Sequence, residues 1–250
     1  MSLSVKEANA IIHGLSTPRK MPGTAYGIPA RACKVGSALA KVPGSVCATC
    51  YANRPGSQYA QAGVQNAQEK RLKALQDPLW VDAMVRSLSG LHLNDPSRRV
   101  HRWHDSGDLQ GVWHLTKIVD VARALPGWRF WLPTREYGIV ISWLQEHGRD
   151  ALPANLVIRL SAPMVGSIGH VATLAVKWDL CWSGVSESHG QPLPGSAECQ
   201  AYRHGNECGS CRSCWDPSVR GVTYGWHGNA GSTYAKHGRD RLYTLRVLEG

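Results

Sequence analysis

Eight cysteines stand in this chain of 250 residues, and seven of them fall into two groups. The tighter group is Cys199, Cys208, Cys211 and Cys214. Its two successive Cys-x2-Cys steps let three thiolates converge from one loop, and the outlying Cys199 supplies a fourth. Gly205, Gly209, Ser210 and Ser213 are small enough to allow the turns this requires. A Cys-x2-Cys-x2-Cys run with one distant cysteine is a ligand pattern of iron–sulfur clusters. Four thiolates also suit a structural zinc ion, although zinc sites more often show two separated Cys-x2-Cys pairs. The leading expectation is a [4Fe–4S] cluster on these four residues, with zinc as the alternative and disulfides third.

The second group is Cys33, Cys47 and Cys50, followed by Tyr51. A structural site wants four protein ligands. A cubane held by three thiolates would leave one iron open to a small ligand, much as a catalytic metal keeps an open position. The plainer reading is that Cys33 is only buried and that Cys47 and Cys50 complete a site with some other group. Cys181 lies in an apolar run and is expected to be a small core residue.

Polar residues at predicted strand ends are the other candidates. His104, Asp105, Ser106 and Asp108 form one such tip. They could contact a substrate or orient a cluster ligand, or Ser106 or Asp108 could cap the following helix. Arg135, between Thr134 and Glu136, could bind a carboxylate or phosphate as a fork, or pair with Asp105 or Glu136. Arg159 and Ser161 repeat the theme at the next strand. His227 could reach the same rim. The working set of catalytic candidates is therefore Asp105, Arg135, Ser161 and His227. Trp103, Trp113, Trp128, Trp131 and Trp143 are read as core.

These residues must be positioned by a repeating unit. Residues 99–104, 128–132, 156–160 and 178–182 read as short apolar strands. Residues 111–124, 138–147 and 167–176 read as helices between them. Strand, polar tip and helix repeating every 25–30 residues or so is the βα pattern of a parallel sheet, whose active-site rim lies at the carboxyl ends of the strands. Helices are also expected over 58–75 and 79–90, and further strands over 219–226 and 241–248. The expected fold is α/β, a partial or irregular βα (TIM-like) barrel with a Cys-rich C-terminal extension. It is read as one domain: a lead-in, irregular over 1–30 because of its prolines and glycines, and first Cys loop over 1–57, a βα core over 58–189, a metal loop over 190–217 and closing strands over 218–250.

Composition narrows the function classes. Hydrophobic residues make up 43%, which excludes a disordered chain. Neither a secretory leader nor a run of ~18 apolar residues is visible, so a cytoplasmic location with reduced thiols is expected. A formal charge of +10 favours anionic partners such as nucleic acid, but the basic residues are scattered.

The block KMPGTAYGIPARACKVGSALAKVPGSVCATCYA, with HDSGD, FWLPTRE, IRLSA and CGSCRSCWD, resembles the phage-encoded gene product eighty-eight family. The resemblance runs from about Lys20 to His227. It implies a phage or prophage origin, hence the cytoplasm of an infected host, and an iron–sulfur protein without an assigned reaction. The Cys-x2-Cys-Tyr-Ala element and the βα rhythm are also similar to radical S-adenosylmethionine enzymes. The x2 step between Cys47 and Cys50 matches theirs, and the x13 gap from Cys33 departs from their x3 spacing. The reading is therefore a phage protein with one or two [4Fe–4S] clusters on a radical-enzyme-like barrel, S-adenosylmethionine being a possible cofactor. The alternative is a non-catalytic module that binds nucleic acid or protein and uses zinc or iron–sulfur structurally.

Overall fold

The computed structural model of the chain describes residues 3–226. The first helix, α1 (Val5–Ile12), starts on a capping box: the Ser4 hydroxyl accepts from the Glu7 N–H at 3.2 Å, and the Glu7 carboxylate accepts from the Ser4 N–H at 2.8 Å. Strand β1 (Thr24–Tyr26), helix α2 (Lys34–Leu39), helix α3 (Ala62–Ala74) and helix α4 (Trp80–Ser89) follow. The alternating part comprises β2 (Val100–Trp103), α5 (Val112–Ala124), β3 (Arg129–Thr134), α6 (Tyr137–His147), β4 (Leu156–Val165), α7 (Val171–Lys177) and β5 (Cys181–Ser186). Two more strands, β6 (Ala197–Glu198) and β7 (Gly221–Gly225), flank the cysteine-rich segment.

All seven strands pair in parallel, in the order β1-β2-β3-β4-β5-β7-β6. The sheet does not close, because β1 and β6 remain its two edges. Side chains alternate between its faces, as strand geometry requires. On one face Trp103, Phe130, Leu132, Ile158 and Leu160 pack with α1 and α3 to α7 in the main core. On the other, Val100 and Trp131 pack with Met21, Cys214, Trp215 and Tyr224. The cysteine-rich segment therefore covers the sheet face that the helices leave free.

The expected helices and the first strands lie close to where the sequence puts them. Three positions differ. Strand β5 begins three residues later than expected, because α7 runs on to Lys177 and Asp179 turns the chain at φ 49°. Strand β4 continues past Pro163, where the pairing with β5 loses register. The lead-in, read as irregular, contains α1 and β1. Trp113 is exposed rather than core, whereas Trp103, Trp128, Trp131, Trp143 and Cys181 are buried. No described helix is long and apolar enough to cross a membrane. His227 and the strand expected over 241–248 lie outside the described residues.

Candidate metal centres

The segment that carries Cys33, Cys47 and Cys50 is fastened to strand ends. The Glu136 carboxylate, just beyond β3, accepts from the Lys34 and Val35 N–H groups at 3.0 and 2.9 Å, fixing the turn that begins at Cys33. The Ser45 hydroxyl donates to the Leu39 carbonyl and accepts from the Ala48 N–H, shaping the turn before Cys50. The Val165 N–H donates to the Gly44 carbonyl at 3.0 Å, attaching that turn to the end of β4.

Cys33 and Cys47 share a neighbourhood with Cys50, Asp108 and the polar residues beyond β3. Burial pushes the Cys33 thiol up, and Asp108, Cys50, Cys47 and Glu136 add to the shift. Burial also raises Cys47, with Arg135 opposing it and Cys50 and Asp108 reinforcing it. Helical Gly36 keeps the space between two of them clear. A Cβ there would stand 2.9 Å from Cys33 Cβ, 3.6 Å from Cys33 Sγ and 3.7 Å from Cys47 Sγ.

Asp108 ties neighbouring strand tips together. One carboxylate oxygen accepts from the Thr134 hydroxyl at 2.6 Å and from the Leu109 N–H, and the other accepts from the Arg135 N–H at 2.9 Å. Burial pushes this carboxyl up to about 6 against those donors. Neither Ser106 nor Asp108 caps α5, which starts on Gly111 without a side-chain cap. Asp108 is drawn instead to the donors on β3.

Arg135 makes no ion pair with Asp105 or Glu136 among the described residues. Its guanidinium donates to the Ala162 carbonyl at 3.3 Å, and its buried Nε has no hydrogen-bond partner. Asp105 sits at the edge of this site: its carbonyl accepts from the Tyr51 hydroxyl at 2.5 Å and from the Tyr59 hydroxyl at 3.4 Å. Burial raises its carboxyl, with Arg102 and Arg71 opposing. Ser161 joins through its backbone, because the Tyr137 hydroxyl donates to its carbonyl, and its own hydroxyl lies 3.3 Å from that of Ser183.

The second group is built on an arginine. Arg159, fully buried on β4, is held by main-chain carbonyls alone: Nε donates to Cys214 at 3.0 Å, and one terminal nitrogen donates to Ser213 at 2.6 Å and Asp216 at 3.0 Å. The other terminal nitrogen reaches the carbonyls of Trp182 and Arg220 at 3.4 Å. Further anchors are the Cys199 N–H on the Thr223 carbonyl and the Cys208 N–H on the Lys20 carbonyl. Gly205, Asn206 and Gly209 take the left-handed conformations that turn the loop (φ 65°, 64° and 52°). Cys214 Sγ lies 3.2 Å from the Tyr224 hydroxyl. Burial pushes this thiol up to about 12, while Tyr224 and Arg159 pull it back and Cys199 and Cys208 reinforce the rise.

All eight cysteines are free thiols, so the disulfide reading fails here. Tetrahedral zinc with bonds of ~2.3 Å would set its sulfurs ~3.8 Å apart. Among the described residues no three His, Cys, Asp or Glu side chains gather tightly enough to hold one metal ion. The donor set is all sulfur, a ligand chemistry that both zinc and iron–sulfur clusters accept. Ligation would also replace the protons that burial holds on Cys33, Cys47, Cys199, Cys208 and Cys214.

Sequence reasoning underrated Arg159, although one charge within the apolar run LVIRL was its signal. It missed Arg102, Tyr137 and Tyr224, whose contacts come only from sheet order. Neither the curated proteins nor the solved structures contain a match to the chain. The family model described as Gene product 88 matches residues 3–217, a span that includes both cysteine groups, and the chain therefore belongs to the Gene product 88 family.

Proposed function

We propose that this is a phage iron–sulfur protein. In this reading Cys199, Cys208, Cys211 and Cys214 hold one [4Fe–4S] cluster, and Cys33, Cys47 and Cys50 hold a second with one iron free of protein thiolate. The open parallel sheet serves as a partial βα barrel, with the first group at its carboxyl rim. The observation that carries the reading is the second group: three free thiols on one loop, with Cys199 ahead of it, beside a buried cation whose partners are all carbonyls. Such a cation offsets the negative charge that a thiolate-bound cluster brings into a dry site.

When bound, clusters of this kind supply one-electron redox chemistry. The chain's own residues define what the first site could accept. The buried, unpartnered Nε of Arg135 beside Cys47 offers a donor to an anionic group, and Asp108 and Glu136 hold the surrounding turns. S-adenosylmethionine, with its carboxylate, is the cofactor to try. An altered EPR spectrum of the reduced protein on its addition supports a radical enzyme, and an unchanged spectrum rejects that part.

A second reading is favoured by one observation. A groove of about 360 Å3 beside Cys208 is lined by Arg19, Lys20, Arg98 and Arg212 against Asp95 and Glu207. It suits an anionic partner such as nucleic acid, for a module in which the metal is structural. Affinity should then fall steeply between about 50 and 200 mM salt. Binding absent at low salt removes this reading.

A further inference from the structure

The two cysteine groups are joined across the sheet face that the helices do not cover. Tyr51 follows Cys50, and its hydroxyl accepts from Arg102 at 3.3 Å. The Arg102 guanidinium lies 4.7 Å from the centroid of the Trp131 ring. Trp131 meets Tyr224 with ring centroids 6.4 Å apart, and Trp215 at 5.4 Å. The Tyr224 hydroxyl then reaches Cys214 Sγ at 3.2 Å. A separate tie runs from Trp226 Nε1 to the Thr49 hydroxyl at 3.3 Å, between Cys47 and Cys50. Apolar aliphatic side chains would cover this face equally well. The chain instead sets conjugated rings and one guanidinium in contact from Tyr51, the residue after Cys50, to the sulfur of Cys214.

We propose that this chain of side chains is an electron path that couples the two cysteine groups, passing one electron from the Cys199–Cys214 group to the Cys33–Cys47–Cys50 group. The inference rests on the iron–sulfur reading and adds a path and a direction to it. Direction follows from access. Cys211 is exposed, whereas Cys33, Cys47 and Cys50 are all partly covered. The groove with Arg19, Lys20 and Arg98 runs past Cys208, where an anionic one-electron reductant would be drawn in. The transfer moves one electron only: the donor cluster is oxidised by one, the acceptor cluster is reduced by one, and no bond or proton changes place. The external reductant then restores the donor.

The test uses the holoprotein with iron and sulfide quantified first. Iron at fewer than two clusters defeats the two-cluster reading itself, whatever the path. With both clusters loaded, rapid mixing with dithionite followed by freeze-quench EPR should show two phases. The first should quicken with dithionite concentration. The second, reduction of the three-cysteine group, should be independent of it, as an intramolecular step must be. Trp131→Leu should slow the second phase several-fold and leave the first unchanged, with Trp131→Phe restoring much of the rate. A second phase that rises in proportion to dithionite overturns the proposal, as does one unaffected by Trp131→Leu. If the leucine variant does not fold, the wild-type concentration dependence decides alone. Fully reduced wild type should also give a spectrum broadened by spin–spin interaction, and a simple sum of two independent spectra counts against coupling.

Discussion

Replacing Arg159 with methionine should unfasten the cysteine-rich loop. The substitution keeps the length and apolar stem of the side chain and removes its donors. Three carbonyls, of Ser213, Cys214 and Asp216, lose partners at 2.6–3.0 Å. Hydrogen bonds from a charged donor contribute roughly 1.5–3 kcal/mol each, so the three together amount to roughly 5–9 kcal/mol. Burying the guanidinium costs several kcal/mol, which methionine recovers. The net loss is therefore about 2–4 kcal/mol, or a melting temperature lowered by about 4–16 °C at about 2–4 °C per kcal/mol for a chain this size. Thermal denaturation of anaerobic protein reads this directly. Iron content should fall with it, because the loop that carries three of the four thiolates is no longer held. Arg159→Lys keeps the charge but not the fork of donors, and should fall between the two. A methionine variant that melts within about 2 °C of wild type and keeps its full iron content would refute the argument, since stability should track ΔΔG.

Gly36→Ala should lower metal loading at the three-cysteine group, because its Cβ would meet Cys33 Cβ at 2.9 Å and fill the gap between two sulfurs. The strain of that contact opposes the helix preference of alanine over glycine, about 1 kcal/mol, so iron content is the readout; equal iron content in both proteins would contradict this. Tyr224→Phe removes the hydroxyl 3.2 Å from Cys214 Sγ, and loss of a hydrogen bond to cluster sulfur should make that group's reduction potential more negative; redox titration would show no shift if the contact is irrelevant. Stability should also fall on acidification. Burial holds His101 and His114 down to about 3, so below an unfolded value of about 6.5 the unfolded chain binds more protons and the folded state loses ground. Between pH 7 and 5 this removes about 2 kcal/mol per histidine. Asp108, pushed up to about 6, acts in the opposite sense and returns about 1 kcal/mol over the same range. Urea midpoints that stay level or rise at pH 5 would contradict that balance.

Much of the fold was legible because its signals are local. The apolar runs around Phe130 and Ile158 and the helices between them follow from periodicity alone. Strand β1 was not legible: Thr24–Tyr26 is three residues between glycines, and only pairing with β2, far away in sequence, makes it a strand. Helix α1 was legible in principle, through the Ser4–Glu7 box, but the prolines and glycines after it drew the reading toward irregularity. The cysteine spacing announced two thiol groups. What spacing could not reveal is how they relate to the sheet. That depends on alternation along β2, β3 and β7, which turns Arg102, Trp131 and Tyr224 toward the same face. Asp108 illustrates the same limit. Its sequence context suits a helix cap, yet the donors that hold it lie on a neighbouring strand.

The central claim is that these thiols bind iron–sulfur clusters. The most direct test is quantitation of iron, acid-labile sulfide and zinc, with an absorption spectrum, on protein purified without oxygen. The account predicts brown protein with about eight iron and eight sulfide per chain, falling to about four when Cys208, Cys211 and Cys214 are changed to serine. Colourless protein carrying stoichiometric zinc and no iron would contradict it.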